Sequence, residues 1–384
     1  MTIWFFIDSI RWTAERLAGV NTDDLGGSVG GTEAMTVGLC RHLRSRGHDV
    51  TLWATKLDVQ GYHGGLDWRV GRQGGLRWRS VEHGLRSALL NEPSPDVFVA
   101  VRQPQVFSLP EAQGLPMHRV LWAGDVLEKH QGHIPYLANV DTIVYVSEWH
   151  RRQWESVHPP LAQDLFSWVT PVASHEAWIP TDVVRERHTF IYASQPDRGL
   201  VPLLAMWPRI RQALPDATLL IAGYTADVSR VKILADRLIA QVQKDVGGIE
   251  VVRAADKRGY FRHLARCRLL LYPGVHFEET NGHVCSEAMM NGVIPIVSRL
   301  GALPETVPFG AGSFVDGDAN TPEYQEAFIQ RVLTLTDPTF DEDVDRMREV
   351  GRAHVLPRCT YAHVAALWDA RLSELPVDRL VQAW

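Results

Sequence analysis

Short apolar runs alternate with stretches of helical period along the whole chain. Residues 2–7 (Thr-Ile-Trp-Phe-Phe-Ile) read as a strand, and residues 32–47 as a helix with apolar Ala34, Val37, Leu39 and Leu43 and a stop at Gly47. A strand at 49–54 follows, then a glycine-rich excursion to about Gly75 and a helical pattern over 76–90. Residues 96–101, 119–122 and 142–146 are short and apolar enough for strands, and Ser147 caps a helix to Val157. The second half repeats the rhythm. Strands are expected at 189–193, 217–222, 249–253, 268–272 and 293–298, with helices at 199–214, 229–246 and 284–291. The chain ends in helical patterns at 323–335, 341–350 and 361–375. Such alternation in both halves predicts two doubly wound, mostly parallel sheets. Residues 171–187 hold two prolines and no clear period, which places the boundary there: 1–175 for a first domain, and 176–384 for a second with the terminal helices.

A length of 384 residues suits two domains with sizeable cores. Hydrophobic residues make up 45% and charged residues 22%, the usage of an ordinary globular protein and not of a fibrous or disordered one. No apolar run nears the ~20 residues that span a bilayer, and the N-terminus lacks a basic stretch before its apolar run, so it reads as a strand and not a signal peptide. The net charge of −6 divides evenly: 16 basic and 18 acidic residues before residue 175, 23 and 27 after it. Neither half has the basic excess of a nucleic-acid binder. Cys40, Cys267, Cys285 and Cys359 are few and far apart, as in a cytoplasmic protein with reduced thiols. Thirteen tryptophans, ten of them at or before Trp178, point to core packing, with one or two open to stacking on sugar rings.

Ligands of open α/β sheets bind beyond the carboxyl ends of the strands, so loops that follow a strand and open a helix carry the candidate chemistry. Gly26-Gly-Ser-Val-Gly-Gly-Thr-Glu33 is one: its amides can approach an anion at a helix N-terminus, or its glycines can simply turn the chain. It has neither the Walker nor the dinucleotide spacing. Ser194 and Arg198, in Tyr192-Ala-Ser-Gln-Pro-Asp-Arg-Gly-Leu200, sit between a strand and a helix, where a guanidinium suits phosphate oxygens. The most specific segment runs from Pro273 to Glu287. Glu279, in its loop, can accept bonds from sugar hydroxyls or cap the helix. Glu287, a turn inside the helix, can reach a ribose diol or lie on a solvated face. The amides of Asn281, Gly282, His283 and Val284, with Thr280 before them, can meet a diphosphate.

These residues resemble a family. Glu279-Thr-Asn-Gly-His-Val-Cys-Ser-Glu287 with Ala-Met-Met-Asn-Gly-Val-Ile-Pro-Ile-Val297 is similar to the glutamate-x7-glutamate segment of retaining GT-B glycosyltransferases of the GT4 type. Ser194-Gln-Pro-Asp-Arg-Gly-Leu200, Pro215–Gly223, Gly301–Val307, the Gly26–Glu33 loop and Arg46–Val50 fit the same pattern. The resemblance implies two Rossmann-like domains facing a central cleft, the first for the acceptor and the second for a nucleoside-diphosphate sugar. It implies sugar transfer with retention and no cofactor beyond that co-substrate. Glu279 would contact the donor sugar and Glu287 the ribose. Arg198 would neutralise the departing diphosphate with the amides of Gly30, Gly31 and 281–284, while Gly223 and Tyr224 would flank the base or diphosphate. Two departures stand out. The family's second basic residue is absent near Ala193, and in Leu121-Trp-Ala-Gly-Asp125 a glycine, Gly124, replaces the usual histidine. Asp125 is a candidate for catalysis at the acceptor or, alternatively, a helix cap.

Other signals are weaker. No Asp-x-Asp stands on a strand end, and His130 and His133 lack further ligands at zinc-like spacing, so no metal is expected. Residues 68–86 hold five arginines and two tryptophans, a solvated basic face or a contact for an anionic acceptor or a lipid head group at a membrane surface. The expected acceptor is a carbohydrate or glycolipid. A nucleotide-sugar epimerase, with His283 and Asp125 as acid and base, and an inactive nucleotide-sugar-binding protein remain alternatives.

Overall fold

The computed structural model describes residues 1–8, 31–54, 68–69, 76–161, 165–222, 230–252, 257–275 and 279–376. They form two compact units, Met1–Ser174 with the segment from Tyr361 on, and His175–Thr360. Among the described residues no helix is long and apolar enough to cross a membrane.

The first unit is built on an eight-stranded sheet, β1 (Thr2–Ile7), β2 (Asp49–Ala54), β3 (Trp68–Arg69), β4 (Arg77–Ser80), β5 (Val97–Val101), β6 (His118–Trp122), β7 (Thr142–Tyr145) and β8 (Phe166–Val169), in the order β3-β4-β2-β1-β5-β6-β7-β8. Among the described residues only the β3–β4 pair is antiparallel. Ile3 to Ile7 and all of β5 are buried, which explains why both strands are apolar without alternation: a parallel sheet is covered on both faces. Helices α1 (Gly31–Ser45), α2 (Arg86–Asn91) and α3 (Glu148–Val157) flank it, and Ser147 caps α3 by accepting the His150 amide at 3.0 Å.

Two expectations are corrected in this unit. Residues 76–90 were expected to be helical throughout, but β4 occupies their start, paired in parallel with β2. Arg79 stacks on the Trp53 ring, 4.3 Å from its centroid, and forks onto Glu92 with two 2.6 Å bonds. Arg77 faces Asp49 at 3.5 Å and Arg86 faces Glu111 at 3.6 Å, so three arginines of this stretch are tied to carboxylates of the fold. The terminal helix α11 (Tyr361–Ser373) packs with the first unit and not the second. Trp368 is fully buried among Trp122, Trp168 and Phe5, with ring centroids 5.0, 5.5 and 6.0 Å away. The Tyr361 hydroxyl donates to the Ala34 carbonyl at 2.9 Å, and its ring fills the space beside Gly38 of α1.

The second unit holds a six-stranded parallel sheet: β9 (Thr189–Tyr192), β10 (Thr218–Ala222), β11 (Ile249–Val252), β12 (Leu269–Tyr272), β13 (Ile294–Ser298) and β14 (Ser313–Val315), ordered β11-β10-β9-β12-β13-β14. Numbered within the unit this is the order 3-2-1-4-5-6 of doubly wound dinucleotide folds. The helices are α4 (Leu200–Ala213), α5 (Arg230–Asp245), α6 (Lys257–Arg266), α7 (His283–Met290), α8 (Leu303–Thr306), α9 (Pro322–Thr336) and α10 (Asp341–Val355). The strand order reverses between β9 and β12. The loops leaving these two strands therefore part at the switch point, where such sheets bind ligands.

Candidate functional site

Arg198 stands in the loop after β9 and Glu279 in the loop after β12, so the switch point brings together residues 81 positions apart. The two loops touch through a glycine. Gly199 has φ +122°, and a Cβ there would lie 2.1 Å from the Pro273 carbonyl oxygen, so no side chain fits. Gly199 thereby sets Arg198 against the β12 loop.

Glu279 is buried, 7% exposed, and its carboxylate is held on both oxygens. The Arg198 Nη1 lies 3.4 Å from Oε1, and the Tyr272 hydroxyl donates to Oε2 at 2.5 Å. Burial and the Glu279 charge push the Tyr272 phenol well above its ordinary range, so it stays a donor. Burial is the largest influence on Arg198 and works to lower it, but Glu279, Tyr272 and Asp197 together outweigh it and the guanidinium is held more firmly protonated. The backbone of the loop is fixed from below. Ala302 donates to the Glu279 carbonyl at 2.7 Å, and Gly301, at φ +54°, admits that carbonyl where a Cβ would lie 2.3 Å away. Thr306 donates to the Asn281 carbonyl. The segment 301–307, noted for its resemblance, acts here as the floor under Glu279 and Asn281.

Helix α7 opens at His283 behind Gly282, which lies in the left-handed region at φ +77°. No side chain caps it, so Glu279 is not its cap. Glu287 lies 3% exposed, which excludes a solvated face. Its Oε1 accepts from Lys257 Nζ at 2.7 Å and lies 3.6 Å from His283 Nε2. Ser194 is buried just past β9. The structure thus gathers Ser194, Arg198, Glu279, Thr280, Asn281, Gly282, His283, Val284 and Glu287 at the carboxyl end of the second sheet. Gly31 opens α1 in the first unit, and Gly30, Gly223 and Tyr224 lie outside the described residues.

Asp125 belongs to a separate arrangement in the first unit. It follows β6 and pairs with Arg102, which follows β5; Arg102 Nε donates to Oδ2 at 2.5 Å. His130 Nε2 lies 3.8 Å from the same oxygen, and His130 and His133 have ring centroids 5.2 Å apart. Asp125 does not cap the following helical turns, whose N-cap is Val126 with no side-chain bond. Its carbonyl oxygen accepts from His150 Nε2 and Trp154 Nε1, both at 2.8 Å. Burial drops the His150 imidazole to about 4, so it remains a neutral donor there. Among the described residues Arg102 alone, apart from glycines, has a positive φ, +68°. A Cβ at Gly124 would sit 3.2 Å from the Arg102 Cγ, so the lack of a side chain at Gly124 leaves room for the arginine stem.

Sequence reasoning did not single out Tyr272, Lys257, Arg102 or His150. Tyr272 ends an expected strand, a position that faces the switch point by construction. Lys257 and Arg102 carry no local signal, since each meets its partner across a strand and a loop.

Residues 187–337 match the family model of glycosyl transferases group 1, a span that includes Arg198, Lys257, Tyr272, Glu279 and Glu287. No curated protein matches the sequence. Sucrose-phosphate synthase from Thermosynechococcus elongatus has a similar fold, with a TM-score of 0.74 at 16% identity over 97% of this chain and 98% of that one. HepE from Anabaena, in complex with UDP and glucose, gives 0.73 at 14% over 98% and 100%. The pneumococcal O-GlcNAc transferase GtfA, in complex with UDP and GlcNAc, gives 0.70 at 12% over 97% and 99%. Residues 187–337 thus resemble the glycosyl transferases group 1 family, within a chain that takes the two-unit α/β fold of GT-B glycosyltransferases along nearly its whole length.

Proposed function

We propose that the protein is a retaining glycosyltransferase that moves a sugar from a nucleoside-diphosphate sugar to an acceptor hydroxyl. The observation that carries the reading is the Arg198–Glu279–Tyr272 constellation at the switch point, with α7 opening beside it. The 3.4 Å contact between Arg198 and Glu279 is long for a charged pair, so the guanidinium can turn to a diphosphate at small cost. Arg198 and the amides of 281–284 then neutralise the leaving diphosphate, a task that electrostatic preorganisation performs without reorganising solvent. Glu279 accepts bonds from the sugar hydroxyls and Glu287 from the ribose.

Glu279 is a poor nucleophile while Tyr272 donates to one of its oxygens and the sugar hydroxyls donate to it as well, which favours attack by the acceptor itself. The bond from the anomeric carbon to the phosphate oxygen breaks. The acceptor oxygen bonds to that carbon from the same face, and its proton passes to the departing phosphate. On this reading no metal is required, because Arg198 supplies a fixed positive charge. The acceptor is a carbohydrate or glycolipid, and Asp125 of the first unit contacts it. HepE and GtfA are described with UDP, so uridine nucleotides are the first donors to try.

The test is release of nucleoside diphosphate from UDP-glucose, UDP-GlcNAc and ADP-glucose with a panel of sugar acceptors. Arg198→Ala should lower turnover about 10²-fold or more, the range for losing one positioned donor to a developing anion. Full activity in both Arg198→Ala and Glu279→Ala would overturn the reading, as would inversion at the anomeric carbon of the product seen by NMR.

A further inference from the structure

Glu287 is the most deeply buried carboxylate of the site, and the cation beside it comes from elsewhere in the fold. Lys257 is the first residue of α6, after β11, while Glu287 lies in α7, after β12. Both helices begin at the carboxyl ends of the parallel strands, which is how residues 30 positions apart meet at 2.7 Å. The backbone dipole of its own helix does not favour the lysine. A positive charge in the first turn is opposed by the helix dipole. Its Nζ lies 5.0 Å from the Tyr260 ring centroid, which keeps the stem on α6 while the ammonium reaches α7.

The pairing has a chemical consequence for Glu287. An ionised carboxylate offers two oxygens as acceptors, the complement of the two O–H donors of a ribose diol. A carboxylate buried to this extent without a cation would take up a proton, and one oxygen would become a donor. His283, at 3.6 Å from Oε1, is a weaker substitute, because it is farther away and charged only when protonated. The ammonium also holds Oε1, so one oxygen of the carboxylate is placed before any ligand arrives.

We infer that Lys257 is a positioning residue for the nucleotide ribose: it keeps Glu287 ionised and oriented, and so sets the preference for ribonucleotides over 2′-deoxyribonucleotides. The inference rests on the proposed reading of Glu287 as the ribose contact. A merely structural lysine would, when removed, weaken all nucleotides alike. A positioning lysine acts on the discrimination between them.

Titration calorimetry with UDP, 2′-deoxy-UDP, ADP and 2′-deoxy-ADP on the full chain separates these cases. The unsubstituted protein should prefer the ribonucleotide of a pair at least tenfold. Lys257→Met should cut that ratio below threefold with less than a twofold change for the deoxynucleotide, and Lys257→Arg should keep most of it. Lys257→Gln, which preserves a donor without the charge, is measured beside them and should fall between. An unchanged ratio in Lys257→Met and Lys257→Gln, or an equal weakening of both nucleotides, overturns the inference while leaving the donor site standing. A wild-type ratio in Glu287→Gln overturns the ribose role of Glu287, and no binding of any nucleotide to the unsubstituted protein overturns the proposed function itself.

Discussion

Each sheet sets charged side chains at the carboxyl ends of neighbouring strands, but the two units build those sites differently. In the second unit the carboxylates of Glu279 and Glu287 are buried and neutralised by Arg198 and Lys257, and the loop backbone is pinned by residues 301–306. In the first unit Arg102 and Asp125 form a pair with side chains 41% and 30% exposed, and the support comes from behind, through the Asp125 carbonyl held by His150 and Trp154. The buried arrangement suits a ligand part that never changes, because its charges cannot rearrange cheaply. The exposed pair is screened by water and adapts at little cost, as a site for a variable partner requires.

The comparison breaks most visibly under removal of one charge. Glu287→Ala leaves Lys257 without its buried partner and should cost about 3–5 kcal/mol of folding stability, whereas Arg102→Ala should cost about 1 kcal/mol or less. Denaturant melts of both variants check this, and equal losses would erase the distinction drawn between the sites.

A smaller effect concerns the support behind Asp125. The folded chain protonates His150 only near pH 4, against about 6.5 for a free imidazole, so the unfolded chain binds the proton first as the pH falls. Stability from this group is therefore full above about pH 6.5 and is lost as the pH drops to about 4, a change of at most about 3 kcal/mol. Urea midpoints at pH 7 and 4.5 should draw closer together in His150→Gln; an unaltered gap would place the acid sensitivity elsewhere.

The smallest effect sharpens the link between Gly124 and Arg102. Gly124→Ala puts a methyl 3.2 Å from the Arg102 stem, which must shift by a few tenths of an ångström. The expected loss is about 1 kcal/mol, the low end for overpacking. In an Arg102→Ala background the same substitution should cost nothing measurable, and a double-mutant cycle on melting data decides between the two.

Much of the second unit was legible in the sequence, because its signals are local. Arg198 sits two residues after a proline and next to a glycine, just past an apolar strand, and the two glutamates flank a helix start. Five strands of each sheet could be read from the alternation of apolar runs with helical periods; the short strands β3, β4, β8 and β14 could not. What escaped depends on distance along the chain. Nothing near Lys257 announces a partner 30 residues on, and Arg102 gains meaning only when β5 and β6 lie side by side. Residues 76–90 misled because a four-residue strand of arginine, tryptophan, arginine and serine satisfies no apolar period; it is held by pairing to β2 and by Arg79 on Trp53. The terminal helix was assigned by order in the chain, whereas Trp368 follows the aromatic cluster of the first unit.

A crystal structure of the chain grown with UDP bears most directly on whether a nucleoside diphosphate is received at the switch point of the second sheet. The diphosphate is expected within hydrogen-bond reach of the Arg198 guanidinium and the amides of 281–284, with the ribose on Glu287. Nucleotide bound away from these residues, with the Arg198–Glu279 pair undisturbed, would rule that site out.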